Sequence, residues 1–178
     1  MMDWRWSRVD ELETQEKYRE AICYMHQVWQ QKPMDLKVFL KLSFLCWYVV
    51  AEWGVFAASD LEEKDVEECE ELLKSLTAFG HRHFQHHVEF LWLFGYMILL
   101  FPDFFGEQEQ TGVYMVKRAY EMKPQDPVIQ LIHLSGQQTN PYEPKLEQIR
   151  KETALVLPER FQGSGDLQRY FKEVLNRI

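Results

Sequence analysis

Apolar residues return along this chain every three or four positions, in stretches separated by Pro, Gly and Asp. Across residues 9–31, Leu12, Tyr18, Ile22, Met25 and Trp29 recur at helical spacing, which predicts one amphipathic helix. Residues 36–58 predict a second. It is apolar on nearly every side (Val38, Phe39, Leu42, Leu45, Cys46, Val49, Val50, Trp53, Phe56), as expected of a central helix. Ser59 with Glu62 three residues on reads as a capping box opening a third helix to Phe79, with Gly80 as its stop. A fourth helix is predicted over 82–101, ended by Pro102, and a fifth over 107–123, with Val113, Val116, Ala119 and Tyr120 on one side. Asp126-Pro127 opens a sixth that fades at Gly136, and 139–144 reads as a loop. A seventh covers 143–157, with Leu146, Ile149, Thr153 and Val156 in register. Pro158 and Gly163-Ser164-Gly165 predict a flexible break over 158–165. The amphipathic C-terminal helix over 166–178 shows Leu167, Tyr170, Phe171, Val174 and Ile178. No run has the alternation of a strand. The expectation is an all-α domain over 1–178, with a main array over 1–157, built of antiparallel helix pairs joined by short turns.

One piece of punctuation occurs twice. Trp29-Gln30-Gln31-Lys32-Pro33-Met34-Asp35 and Tyr120-Glu121-Met122-Lys123-Pro124-Gln125-Asp126 both run aromatic, two residues, Lys-Pro, one residue, Asp. The Lys suits a helix C-terminus, the Pro cannot continue the helix, and the Asp is a good N-cap for the next. Ala21 and Gly112 stand twelve residues before these two prolines, and Ala119 stands five before Pro124. Ser43 follows Pro33 where a further repeat would want a small residue. Val28 holds the place that Ala119 holds before Pro124. Small residues at these positions let helices approach closely. In this the corners resemble tetratricopeptide repeats, over about half of the chain. The two prolines lie 91 residues apart, which is not a multiple of the usual repeat of about 34. The resemblance implies a degenerate tetratricopeptide-like array that binds protein; an irregular bundle of about eight helices is the alternative architecture.

Charge narrows the partner. The chain carries 20 Lys and Arg against 28 Asp and Glu, a net charge of −8. Residues 1–110 hold ten basic residues against twenty acidic ones. Such a balance argues against nucleic acid or an anionic membrane surface and suits a basic protein. Within 60–71, eight of twelve residues are acidic and only Lys64 opposes them. Asp60, Glu63, Glu67, Glu70 and Glu71 are the candidate partner-binding residues, on a docking face that would steer a basic partner; the alternative is a plain solvated helix face whose first turn suits the dipole.

The remaining chemistry is sparse. His81, His83, His86 and His87 cluster, and His83 and His87 at i, i+4 have the spacing of two metal ligands on one helix. No His-Glu-x-x-His run, Gly-rich phosphate loop, Gly-x-Ser-x-Gly elbow or Cys-x-x-Cys pair accompanies them. No cofactor is implied, and the chain is not expected to be an enzyme. Cys23, Cys46 and Cys69 sit in apolar helical patterns and read as reduced core residues of a cytoplasmic protein. Six Trp and 15% aromatic residues imply a core of bulky rings. The apolar stretches 39–58 and 90–101 are too charged or too short to span a bilayer. The reading is a protein-binding helical module with an acidic and aromatic surface, on charge and size an immunity protein that neutralises a basic toxin. The alternatives are a metal-dependent enzyme centred on residues 81–87 and a peptide-sensing regulator.

Overall fold

The computed structural model describes residues 2–55, 59–136 and 144–178. Among these are nine α-helices and no strand: α1 (Ser7–Thr14), α2 (Tyr18–Gln31), α3 (Leu36–Ala51), α4 (Glu63–His83), α5 (Val88–Leu100), α6 (Glu109–Met122), α7 (Pro127–Ser135), α8 (Pro144–Arg160) and α9 (Asp166–Val174). Short 3-10 turns occupy Trp53–Val55 and Pro102–Phe105. The all-α expectation holds.

Both repeated corners form as the chemistry of their residues requires. Asp35 Oδ1 accepts from the backbone N–H of Lys37 at 3.0 Å and Val38 at 3.2 Å. Asp126 Oδ1 accepts from Val128 at 3.1 Å and Ile129 at 3.3 Å. Each corner folds its second helix back on its first, α3 on α2 and α7 on α6. The small residues around them (Ala21, Ser43, Gly112 and Ala119) are all buried.

Several boundaries differ from the sequence expectation. The first predicted helix is two, α1 and α2. Glu16 takes a left-handed conformation (φ 57°) and donates its N–H to the Glu13 carbonyl at 3.0 Å, while Lys17 donates to Leu12 at 2.9 Å. This is the hydrogen-bond pattern of a glycine-type helix stop, made here without glycine. Conversely, Gly80 stops nothing. It lies inside α4, where a Cβ would sit 2.8 Å from Phe39 Cζ and 2.9 Å from Phe90 Cζ. α4 also begins later than Ser59, with Glu62 as its cap and Asp65 returning the bond in a reciprocal box. α5 starts at Val88 instead of residue 82, because 84–87 form a turn. α3 ends at Ala51, and the predicted extension gives way to a turn at Glu52 and the 3-10 turn Trp53–Val55; its last part, 56–58 with Phe56, and the predicted loop up to residue 143 lie outside the described residues. Pro158 lies within α8, which runs on to Arg160, and Phe161 beyond it is buried.

α3 and α5 are apolar all round and form the centre. Leu42, Leu45, Val49, Phe90, Leu91 and Phe94 are all buried, as the pattern predicts. The Phe39 ring packs against Phe84 (4.9 Å between centroids), Phe94 (5.4 Å), Phe79 and Phe90 (both 6.0 Å). Trp92 of α5 gathers Trp4, Phe161 and Phe171, which ties the N-terminal segment and α9 to the same core. On another side of α5, Gly95 meets Gly112 of α6. A Cβ on Gly112 would stand 2.8 Å from the Gly95 carbonyl oxygen and 2.9 Å from Leu99 N, so the two backbones themselves are in contact.

A charged cluster closes the far end of this core. Lys41, on central α3, is almost wholly buried, and so are Asp10, Glu13, Asp166 and Gln168. Lys41 Nζ lies 2.8 Å from Glu13 Oε1 and 3.5 Å from Asp10 Oδ1. Glu13 Oε2 also accepts the backbone N–H of Asp166 at 2.9 Å, and Asp166 accepts from the Tyr18 hydroxyl at 2.8 Å. Gln168 Nε2 donates to the Trp4 carbonyl at 3.0 Å and to Asp10 Oδ2 at 3.3 Å. Gly165 fits this cluster because a Cβ there would lie 2.7 Å from both Gln168 Oε1 and Glu13 Oε2. The cluster joins α1, α2, α3 and α9. Burial pushes the Glu13 carboxyl up, against the downward pull of Lys41.

Three outcomes follow from this packing. Gly112→Ala should destabilise the protein by about 1–2 kcal/mol in chemical denaturation, because the clash is with backbone and exceeds the helix propensity gained. Gly54→Ala, with nothing within 4 Å of the new methyl, is the control and should lose nothing of this kind. Lys41→Met should cost about 3–5 kcal/mol, since Glu13 and Asp10 would keep their burial and lose their cation; a loss below about 1 kcal/mol would mean that the cluster holds its charge elsewhere. Glu13 also leaves a signature in pH. Its folded value lies above the ordinary 4.5, so the unfolded chain ionises first as pH rises. Its contribution is complete below that value and falls as pH climbs through the folded one. Stability of the wild type relative to Glu13→Gln should therefore decline as pH rises from 4.5.

Candidate functional site

α4 sorts its acidic residues by register. Cys69, Leu73, Leu76, Thr77 and Gly80 form its buried stripe. Glu63, Glu67, Glu68 and Glu71 are exposed, as is Asp60 ahead of the helix, whereas Asp65 and Glu70 are half-buried. Glu63 and Asp65 lie in the first turn, where the helix dipole favours a negative charge.

Cations reach some of these groups and not others. Arg19 of α2 holds Asp65 Oδ2 at 2.6 Å and Glu62 Oε1 at 3.3 Å, and its own backbone N–H donates to Asp60 Oδ1 at 3.0 Å. These bonds to Asp65 and then Glu62 raise the Arg19 pKa. Lys74 spans Glu70 at 3.0 Å and Glu71 at 3.2 Å, and Lys64 stands 3.4 Å from Glu68. Among the described residues, no cation stands within ion-pair distance of Glu63 or Glu67, which face outward one turn apart. The five candidate residues therefore divide. Glu63 and Glu67 are uncompensated, Asp60 caps the start of α2, and Glu70 and Glu71 share Lys74.

A pocket of about 180 Å³ opens beside this face, between α2 and α4. Arg19, Ile22, Cys23, His26, Asp65 and Glu68 are among its walls. It had no signature in the sequence, because its walls come from two helices some forty residues apart. Cys23 is exposed at this pocket, contrary to the expectation that all three cysteines are core residues. Cys46 and Cys69 are buried and touch, and the hydrogen bond from Cys69, with burial, pushes the Cys46 thiol up.

The histidines separate. His83 is the last residue of α4 and His87 precedes α5, so the turn at 84–87 removes the i, i+4 face that a continuous helix would give them. His83 packs on Phe79, His87 on the edge of Phe84, and His81 lies 3.2 Å from Glu107 of the loop before α6. No group of three His, Cys, Asp or Glu among the described residues is arranged to hold a metal ion. No helix among them is long and apolar enough to cross a membrane.

No protein-family model, no curated protein and no solved structure matches this chain.

Proposed function

We propose that this chain is a protein-binding helical scaffold, tetratricopeptide-like in its corners, which docks a basic protein through the exposed face of α4. The most concrete form of this reading is an immunity protein that occludes a basic toxin. The observation that carries it is the pair Glu63 and Glu67, outward-facing and without a cation, inside a segment with only Lys64 against eight acids. Like charges at i, i+4 cost a helix about 0.2–0.5 kcal/mol each. Nothing in the packing of α4 needs these two carboxylates, since its contact with α3 is made by the opposite stripe. A basic partner would relieve the repulsion and be steered by the field over the roughly 8–10 Å that physiological salt leaves unscreened. α4 has 21 residues and is backed by the α3 core, so the surface is presented without an ordering cost.

The test is kinetic. A partner captured on the wild-type protein is purified, and its association is measured at low and high salt against Glu63→Lys/Glu67→Lys. The double variant should associate at least about tenfold more slowly at low salt, with the difference shrinking at high salt and dissociation changed less. Its stability should be unchanged or slightly higher, as repulsion along α4 falls. Equal on-rates at low salt would leave this face as a solvated surface.

A further inference from the structure

The two repeated corners are not used alike. At the first, Asp35 is exposed and caps α3 through backbone N–H groups alone; among the described residues no cation pairs with it. At the second, Asp126 caps α7 and also receives Arg160 from the end of α8, whose Nη1 lies 2.6 Å from both carboxylate oxygens. Arg160 is only 8% exposed, and the rings of Trp92 and Phe161 lie 5.5 and 6.0 Å from its guanidinium carbon. Among the described residues, its Nε and Nη2 make no hydrogen bond, yet neither is sealed from solvent. A buried guanidinium with one nitrogen engaged and two free is an incomplete anion site.

Arg160 lines two small hollows of about 190 Å³ each, which also share Met2 and Trp4. The first is also lined by Glu89, Lys123 and Asp126. Lys123 Nζ stands 3.5 Å from Glu89 Oε1 in a long ion pair and is half-exposed. Two cations and two carboxylates converge there with no net charge. A bare anion would meet Glu89 and Asp126, and a bare cation would meet Arg160 and Lys123. Only a molecule carrying both signs a few ångströms apart finds a complement for each. The hollow is smaller than the roughly 300 Å³ at which sites for drug-sized ligands begin, so the ligand is small.

We propose that this hollow binds a free α-amino acid with an apolar side chain. Its carboxylate would bond to Arg160 and Lys123, its ammonium group to Glu89, and its side chain would lie against Met2 and Trp4. The site is separate from the α4 face and does not depend on it.

The test is calorimetric titration of the full chain with L-alanine, L-leucine and L-methionine, beside N-acetyl-L-leucine and L-leucinamide, in which one charge is blocked. At least one free amino acid should bind and raise the melting midpoint. Each blocked compound should bind at least roughly tenfold more weakly than leucine, because it leaves one pair of charges unmatched. Arg160→Lys should abolish binding. Since that change also touches the Asp126 pair, Lys123→Ala is the second variant. It should weaken binding about tenfold while the ligand-free melting midpoint stays put. N-acetyl-leucine or leucinamide binding as tightly as leucine would overturn the proposal in favour of a simple ion site. No binding of any free amino acid up to about 10 mM would overturn it outright.

Discussion

A helix that is apolar on every side has to be covered on every side, and two of the described helices, α3 and α5, are of this kind. That requirement organises the rest. α2 and α4 take sides of α3, α6 takes the side of α5 that Gly95 opens, and α9 returns to α3 from the far end of the chain. Rings pack closely around α3 and α5, as the Phe39 cluster shows. Its neighbours on α4 and α5 leave no room even for a methyl group on Gly80. Removing a residue from such a centre costs both its transfer energy and a cavity that rigid ring neighbours close poorly.

Lys41 complicates the covering of α3. A cation at the heart of an apolar helix cannot be left alone, because desolvation without a partner costs several kcal/mol. Glu13 and Asp10 answer it from α1, and their remaining oxygens draw in the α9 backbone and Gln168. The break between α1 and α2, with Glu16 held at positive φ, sets α1 apart as a short helix of its own, the one that carries these acids. One buried charge thus joins the two ends of the chain, α9 meeting α1 as well as α3. This contact lies outside the neighbour-to-neighbour pattern of a plain helical stack.

Against this dense interior, the outward face of α4 is a surface whose composition packing does not explain. Its inner stripe meets the core and its outer carboxylates do not. The corner at Asp126 differs in kind. There a buried ion pair, Arg160–Asp126, and a half-exposed one, Lys123–Glu89, surround small hollows. As proposed, one surface would act at long range through its field, and the other at contact through hydrogen bonds.

Much of this was legible in the order of residues alone. Periodicity marked all the long helices and their apolar faces, since 3.6-residue spacing is a local property. The Lys-Pro-x-Asp corners were legible because a proline, a cap and a dipole act within one turn. The outward carboxylates of α4 followed from the same register. What tertiary structure decided is what depends on residues far apart in sequence. Gly80 reads as a stop until Phe39 and Phe90 are seen against it. His83 and His87 share a face only on a helix that the turn at 84–87 interrupts. Glu13 looks like one more surface acid until Lys41 and Asp166 surround it. The pairing of Glu62 and Asp65 depends on where Arg19 of α2 reaches, and the hollow at Arg160 on four elements meeting. Local rules specify which segments become helices and which face is greasy. Charge pairing between helices, close backbone approach and concave sites are set by the packing of distant segments, and no single stretch of sequence contains them.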